Sequence, residues 1–220
     1  MDYAEVRRKM VDGQLRPSRV TDPRILSAMG DLPRERFVPP NLAARAYTDE
    51  DVPLANGRSL MEPLVIARLI QMLALREHER LLLIGAGTGY GAAVAAQAGA
   101  RVTALEEDAG LVAAARAALG GIMPSSAVTV VHGPLTEGHA AGAPYDAILI
   151  EGEIPEVPAS ISGQLAEGGR LATVLAAAQR GRSSRAVLGR RLGGVFTVSD
   201  VFDCAVAPLP AFRPQPGFVF

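Results

Sequence analysis

The chain has 220 residues and a formal net charge of -1 from 22 basic and 23 acidic side chains, so no whole-molecule field gathers phosphates or an anionic membrane surface. Cys204 is the only cysteine and His78, His132 and His139 lack ligand spacing, which excludes an internal disulfide and a cysteine-rich metal site and predicts no metal. No segment offers roughly 20 uninterrupted apolar residues and the amphipathic start is unlike a secretory signal, so the expectation is a cytoplasmic protein of one domain with at most a small appendage.

Residues 3–15 place Tyr3, Val6, Met10 and Leu15 on one side, as a packed surface helix requires. A second helix is expected behind a Thr21 cap, with Pro23 where a missing N–H costs nothing and Ile25, Leu26 and Met29 as its apolar side. Pro33, Pro39 and Pro40 force an irregular link. Residues 1–60 therefore read as a helical cap with substrate-side loops, and residues 61–205 as the core. In that core a helix over 62–75 precedes short, nearly continuous apolar runs at 80–84, 101–105, 127–131 and 145–150. Helices are expected after the first run, over 108–119 and over 155–165, and Gly168-Gly169 is read as a helix end before a strand at 170–175. Apolar strands alternating with helices predict an α/β fold with a mostly parallel central sheet covered on both faces.

The tail changes character. Runs at 186–190 and 195–201 are separated only by Leu192-Gly193-Gly194, too close for a crossover helix, and predict an antiparallel hairpin on the sheet edge. Arg180, Arg182, Arg185, Arg190 and Arg191 form a basic stretch there with no aromatic side chains between them. It reads as a solvated face, and nucleic acid is not an expected partner. Residues 206–220 are a proline-rich arm, whose relation to the rest of the chain the sequence leaves open, as it does the oligomeric state.

The main chemical signal is Leu81-Leu82-Leu83-Ile84-Gly85-Ala86-Gly87-Thr88-Gly89-Tyr90-Gly91. Between an apolar strand and an alanine-rich helix, Gly85, Gly87 and Gly89 allow a tight turn and close approach of a ligand to the backbone. Glu106, roughly 20 residues on at the end of the next strand, is placed to accept hydrogen bonds from ribose hydroxyls. The loop lacks the dinucleotide spacing of two residues between the second and third glycines, so a nicotinamide cofactor fits it poorly. No nucleophile elbow with histidine and acidic partners supports a hydrolase. His132 and His139 read as structural, and Cys204 as a small, buried apolar side chain.

This loop occurs together with Met-Val-Asp-Gly-Gln-Leu at 10–15, Leu-Pro-Arg-Glu-Arg-Phe-Val-Pro at 32–39, Ala46-Tyr47, Pro53-Leu54, Tyr-Asp-Ala-Ile-Leu-Ile at 145–150 and Gly-Gly-Arg-Leu at 168–171. In these segments, and in 22–29 and 61–73, the chain resembles the protein-L-isoaspartate O-methyltransferase family of class I S-adenosylmethionine-dependent methyltransferases. The resemblance implies a class I methyltransferase-like Rossmann sandwich with an N-terminal helical cap. It implies S-adenosylmethionine as cofactor, seated by Gly85, Ala86, Gly87, Thr88, Gly89 and Glu106, with Gly133 and Leu135 nearby. It also implies methyl transfer to a carboxylate of an isomerised aspartate in a damaged protein or peptide.

The chain departs from that pattern on the acceptor side. In Gly57-Arg58-Ser59-Leu60-Met61-Glu62-Pro63, Met61 stands at the position of the family's active-site serine, and a thioether cannot donate the hydrogen bond a hydroxyl provides. Ser59 matches a family threonine and is the nearby hydroxyl. Glu151-Gly152-Glu153 replaces a threonine and small residues, so Glu62, Glu151 and Glu153 are expected to converge at the acceptor site, with Arg58 offsetting part of their charge. His132-Gly133-Pro134 lacks the aspartate that the family places near adenine. Two alternatives follow: the same cofactor serving a neutral or cationic small acceptor, or a non-catalytic homologue.

Overall fold

The computed structural model describes residues 1–177 and 183–213. The chain opens with α1 (Tyr3–Met10), continued to Leu15 by a π-helical turn, and α2 (Pro23–Asp31). A two-residue ribbon, β1 (Val52–Pro53) with β2 (Ser59–Leu60), precedes α3 (Pro63–Met72). The core continues as β3 (Arg80–Ile84), α4 (Tyr90–Gln97), β4 (Arg101–Glu106), α5 (Ala109–Leu119), β5 (Val128–His132), β6 (Tyr145–Ile154), the short α6 (Ala159–Ser162), β7 (Leu165–Leu175), β8 (Ser184–Leu192) and β9 (Val195–Cys204).

The seven-stranded sheet has the order β5-β4-β3-β6-β7-β8-β9, parallel through β7 and antiparallel over the last two strands. The mostly parallel sheet and the edge hairpin are thus as read from the sequence. Period-2 alternation assigns the two faces. Leu81, Leu83, Ala147 and Leu149 pack in one buried cluster with Met10, Leu15, Ile25, Met29, Phe37 and Ala46 of residues 1–60. Leu82, Ile84, Ile148 and Ile150 pack on the other face with Ile161, Leu209 and Phe212.

Three local expectations are corrected. Asp22, not Thr21, caps α2, its carboxylate accepting from the Arg24 N–H at 2.9 Å. No helix covers 155–165: β6 runs on to Ile154 by pairing with Val174 and Leu175 of β7, and between Pro158 and Gly163 there is room only for α6. Gly168-Gly169 lies inside β7, beside a register shift against β6, and does not end a helix. Arg180, Arg182, Pro214, Pro216 and Gly217 lie outside the described residues.

Arg34 is fully buried and fastens the N-terminal segment to the core. Its Nε donates to the Ala46 carbonyl and its Nη2 to the Met61 carbonyl, each at 2.5 Å, and its guanidinium lies 4.5 Å from the Tyr90 ring centroid. A lysine keeps the charge but cannot span two carbonyls. Arg34→Lys is therefore expected to lose about 2 kcal/mol in urea denaturation; an unchanged midpoint would show that apolar packing alone holds this segment.

Residues 207–213 lie along the C-terminal end of β6. The Glu153 N–H donates to the Ala207 carbonyl at 3.1 Å and the Leu209 N–H to the Glu153 carbonyl at 2.9 Å, with a parallel bridge between Glu153 and Pro208. The Ala207 N–H donates to Asp51 Oδ2 at 2.8 Å, tying the arm to the residue that precedes β1.

Candidate active site

The strand order reverses between β3 and β6, and the open crevice of such a sheet lies beyond the carboxyl ends of its strands. The loop after β3 reaches this point. Gly85, Gly87 and Gly89 have φ of +79°, +53° and +92°, the left-handed region that favours glycine, which turns the chain from β3 into α4. The Gly85 and Ala86 N–H groups both donate to the Leu105 carbonyl, at 3.0 and 3.1 Å, and the Gly87 N–H donates to Glu106 Oε2 at 2.8 Å. Thr88 gives its hydroxyl to the Phe37 carbonyl at 2.5 Å, so it anchors the loop to the cap.

Glu106 is fully buried at the end of β4. Besides Gly87, the Glu107 and Asp108 N–H groups donate to its Oε1, at 2.9 and 3.1 Å. Arg58 Nη1 lies within hydrogen-bond distance of both carboxylate oxygens, at 2.7 and 2.9 Å, and Arg58 Nη2 donates to the Gly85 carbonyl at 2.9 Å. Arg58, expected on the acceptor side, therefore also reaches the glycine loop and Glu106. The Leu209 methyl carbons lie 3.2 and 3.3 Å from where a Cβ on Gly85 would stand, and a Leu54 methyl lies 3.3 Å from that point on Gly87. On the far side the Gly133 N–H donates to the Glu106 backbone carbonyl at 3.0 Å, and Leu135 is fully buried.

The recess below the arm is lined by Arg58, Ser59, Met61 and Glu151 together with Asp51 and Leu209, two residues with no motif to mark them in the sequence. Glu62 and Glu153 are not among its lining residues, so the three glutamates do not converge. Glu153 accepts the Ser184 hydroxyl, and the Glu62 N–H donates to Asp51 Oδ1 at 2.8 Å. Burial, reinforced by Asp49 and Asp51 and opposed by Arg34, raises the Glu62 carboxyl to about 7. Glu151 Oε1 sits where a Cβ on Gly91 would stand and has no hydrogen-bond partner. Burial lifts its carboxyl to about 8, against the pull of Arg58 and Arg34 and with a small push from Glu106.

The remaining candidates are structural. His132 Nε2 lies 2.9 Å from the Glu107 carbonyl, and burial pushes the part-buried Cys204 thiol up to about 11. Among the described residues no group of three or more His, Cys, Asp and Glu side chains could hold a metal ion, and no helix is long and apolar enough to cross a membrane.

A parallel sheet with this strand order, a glycine turn after its first core strand and an acidic residue closing the next define a class I methyltransferase. The chain belongs to the protein-L-isoaspartate (D-aspartate) O-methyltransferase family, whose model matches residues 6–209. It is 43% identical to a protein-L-isoaspartate O-methyltransferase of Methylorubrum populi over 165 residues, 75% of this chain and 77% of that one. A solved protein-L-isoaspartate O-methyltransferase superposes with a TM-score of 0.78 at 25% identity, covering 92% of this chain and 65% of the other. The same fold is found, with a TM-score of 0.75 at 18% identity over 93% of this chain and 98% of the other, in a Plasmodium falciparum beta-aspartate methyltransferase structure in complex with S-adenosyl-L-homocysteine.

Gly85, Gly87, Gly89 and Glu106 supply the turn and the carboxylate that S-adenosylmethionine, the cofactor of this class, would use, and in the conformation described Arg58 and Leu209 stand against Gly85. The recess beside them, with Ser59, Met61 and Glu151 in its lining, has room for about one water molecule.

Proposed function

We propose that this chain is an S-adenosylmethionine-dependent methyltransferase of the cytoplasm that methylates a carboxylate of isoaspartyl residues in damaged proteins or peptides, with residues 1–60 as its substrate-side cap. The observation that carries this reading is the glycine turn bonded through the Gly87 N–H to Glu106, at the point where the sheet order reverses. Gly85, Ala86, Gly87, Thr88, Gly89, Glu106, Gly133 and Leu135 are the proposed cofactor-side residues. Ser59, with Met61 at the family's serine position and Glu151 facing the same recess, forms the proposed acceptor side.

A tritiated-methyl assay on an isoaspartyl peptide, with its aspartyl isomer as control, tests the reading. Transfer is expected to the isoaspartyl form only. No transfer above blank by protein that binds S-adenosylhomocysteine would remove the isoaspartyl assignment. Met61→Ser restores a donor to the recess and is expected to raise transfer about tenfold, the worth of one neutral hydrogen bond; an unchanged rate would mean that Met61 does not face the acceptor. A second reading, a neutral or cationic acceptor, is favoured by the Asp51 carboxyl in the recess. It calls for the same assay with amine and hydroxyl acceptors.

A further inference from the structure

The positions that would hold a nucleoside's sugar are satisfied from within the chain. Glu106 is fully buried with every neighbour in place: Gly87, Glu107 and Asp108 supply backbone donors, and Arg58 Nη1 reaches both oxygens as a pair of sugar hydroxyls would. Leu209 supplies the apolar cover. Its side chain packs on Gly85 and also on Gly152, where a Cβ would come within 2.5 Å of Leu209 Cγ. Arg58 and Leu209 are held by slight elements: Arg58 immediately precedes a two-residue strand, and Leu209 follows a single parallel bridge to Glu153. Asp51 links the segment that follows β2 to the arm, accepting the Glu62 N–H through Oδ1 and the Ala207 N–H through Oδ2.

We infer that Arg58 and Leu209 form a latch that closes the cofactor cleft, and that S-adenosylmethionine or its product enters only when the Arg58 guanidinium leaves Glu106 and the arm at 206–212 lifts Leu209 off Gly85 and Gly152. The inference rests on the methyltransferase reading above. Opening is local. The two elements carry few backbone hydrogen bonds, whereas the glycine loop and Glu106 are braced by β3 and β4 and stay in place. A ligand whose competent state is only fractionally populated binds with an affinity lowered by that fraction, so the latch sets the apparent Kd without touching the ligand.

Calorimetric titration of the full chain with S-adenosylhomocysteine tests this on the wild type, Leu209→Ala, Arg58→Gln and the double variant, each checked for folding by circular dichroism. Leu209→Ala removes apolar cover without disturbing a charge, and Arg58→Gln leaves Glu106 its three backbone donors. Each single variant is expected to bind about tenfold tighter or better than the wild type, and the double variant tighter still. Wild-type binding equal to or tighter than that of Leu209→Ala overturns the latch and leaves the methyltransferase reading standing, as does weaker binding by Arg58→Gln, which would make Arg58 a ligand. Absence of binding by all four folded proteins overturns the methyltransferase reading, and the latch with it.

Discussion

Glu106→Ala is expected to cost about 4 kcal/mol of stability, roughly twice the loss from Arg58→Ala, when both are measured by urea denaturation at neutral pH. The two residues form one buried pair, with side chains 4% and 0% exposed, but their remaining partners are unequal. Without Glu106, the Arg58 guanidinium keeps only the Gly85 carbonyl, and the N–H groups of Gly87, Glu107 and Asp108 lose their side-chain acceptor. Without Arg58, the carboxylate keeps those three backbone donors, which can hold a buried negative charge. Removing the acid therefore strands a cation and loosens the glycine turn, whereas removing the base leaves a solvated-in-miniature anion. Equal losses, or a larger loss from Arg58→Ala, would show that the pair's mutual attraction outweighs the backbone cage. The same asymmetry is why the Arg58 side of the latch can open while the loop persists.

Local signals carry the glycine turn and the strands on either side of it. Leu81 to Ile84 announce a strand by continuous burial, the alternating glycines announce a left-handed turn, and the distance to Glu106 is that of one helix and one strand. The bond from Arg58 to Glu106 has no sequence signal because a short ribbon's direction is set by its partners: the Leu54 N–H bonds the Arg58 carbonyl, and the side chain reaches Glu106. Leu209 was illegible for a related reason. Nothing in its own neighbourhood points to Gly85, and one backbone pairing with Glu153 puts it there. The supposed convergence of Glu62, Glu151 and Glu153 assumed that nearby positions share a direction. Residues two apart on a regular strand share a face, but the register of β6 against β7 shifts between Leu149 and Glu153, with Gly152 at φ +151°, and the two glutamates end in different surroundings.

Glu151→Gln is expected to stabilise the protein by about 2 kcal/mol at pH 9 and to change little at pH 5, a difference readable from thermal melts across that range. The sign follows from burial, which lifts the folded carboxyl from 4.5 to about 8 while Arg58 and Arg34 only partly oppose it. Between those two values the folded chain holds a proton that the unfolded chain has released. Wild-type stability from this group thus falls as pH rises from about 4.5 through about 8, and levels off above. Glu151 as a whole is only part-buried, so solvent screens part of the charge and the expected gain is modest. The same proton bears on the acceptor. At neutral pH a protonated Glu151 does not repel an isoaspartyl carboxylate and can donate to it, so this glutamate does not by itself turn the site against an anionic substrate. Above pH 8 the ionised form would, and isoaspartyl transfer by the wild type is expected to decline there while Glu151→Gln stays flat. If the glutamine variant shows the wild type's pH dependence in both melts and transfer, Glu151 is ionised at neutral pH and the acceptor must be one that tolerates a negative recess.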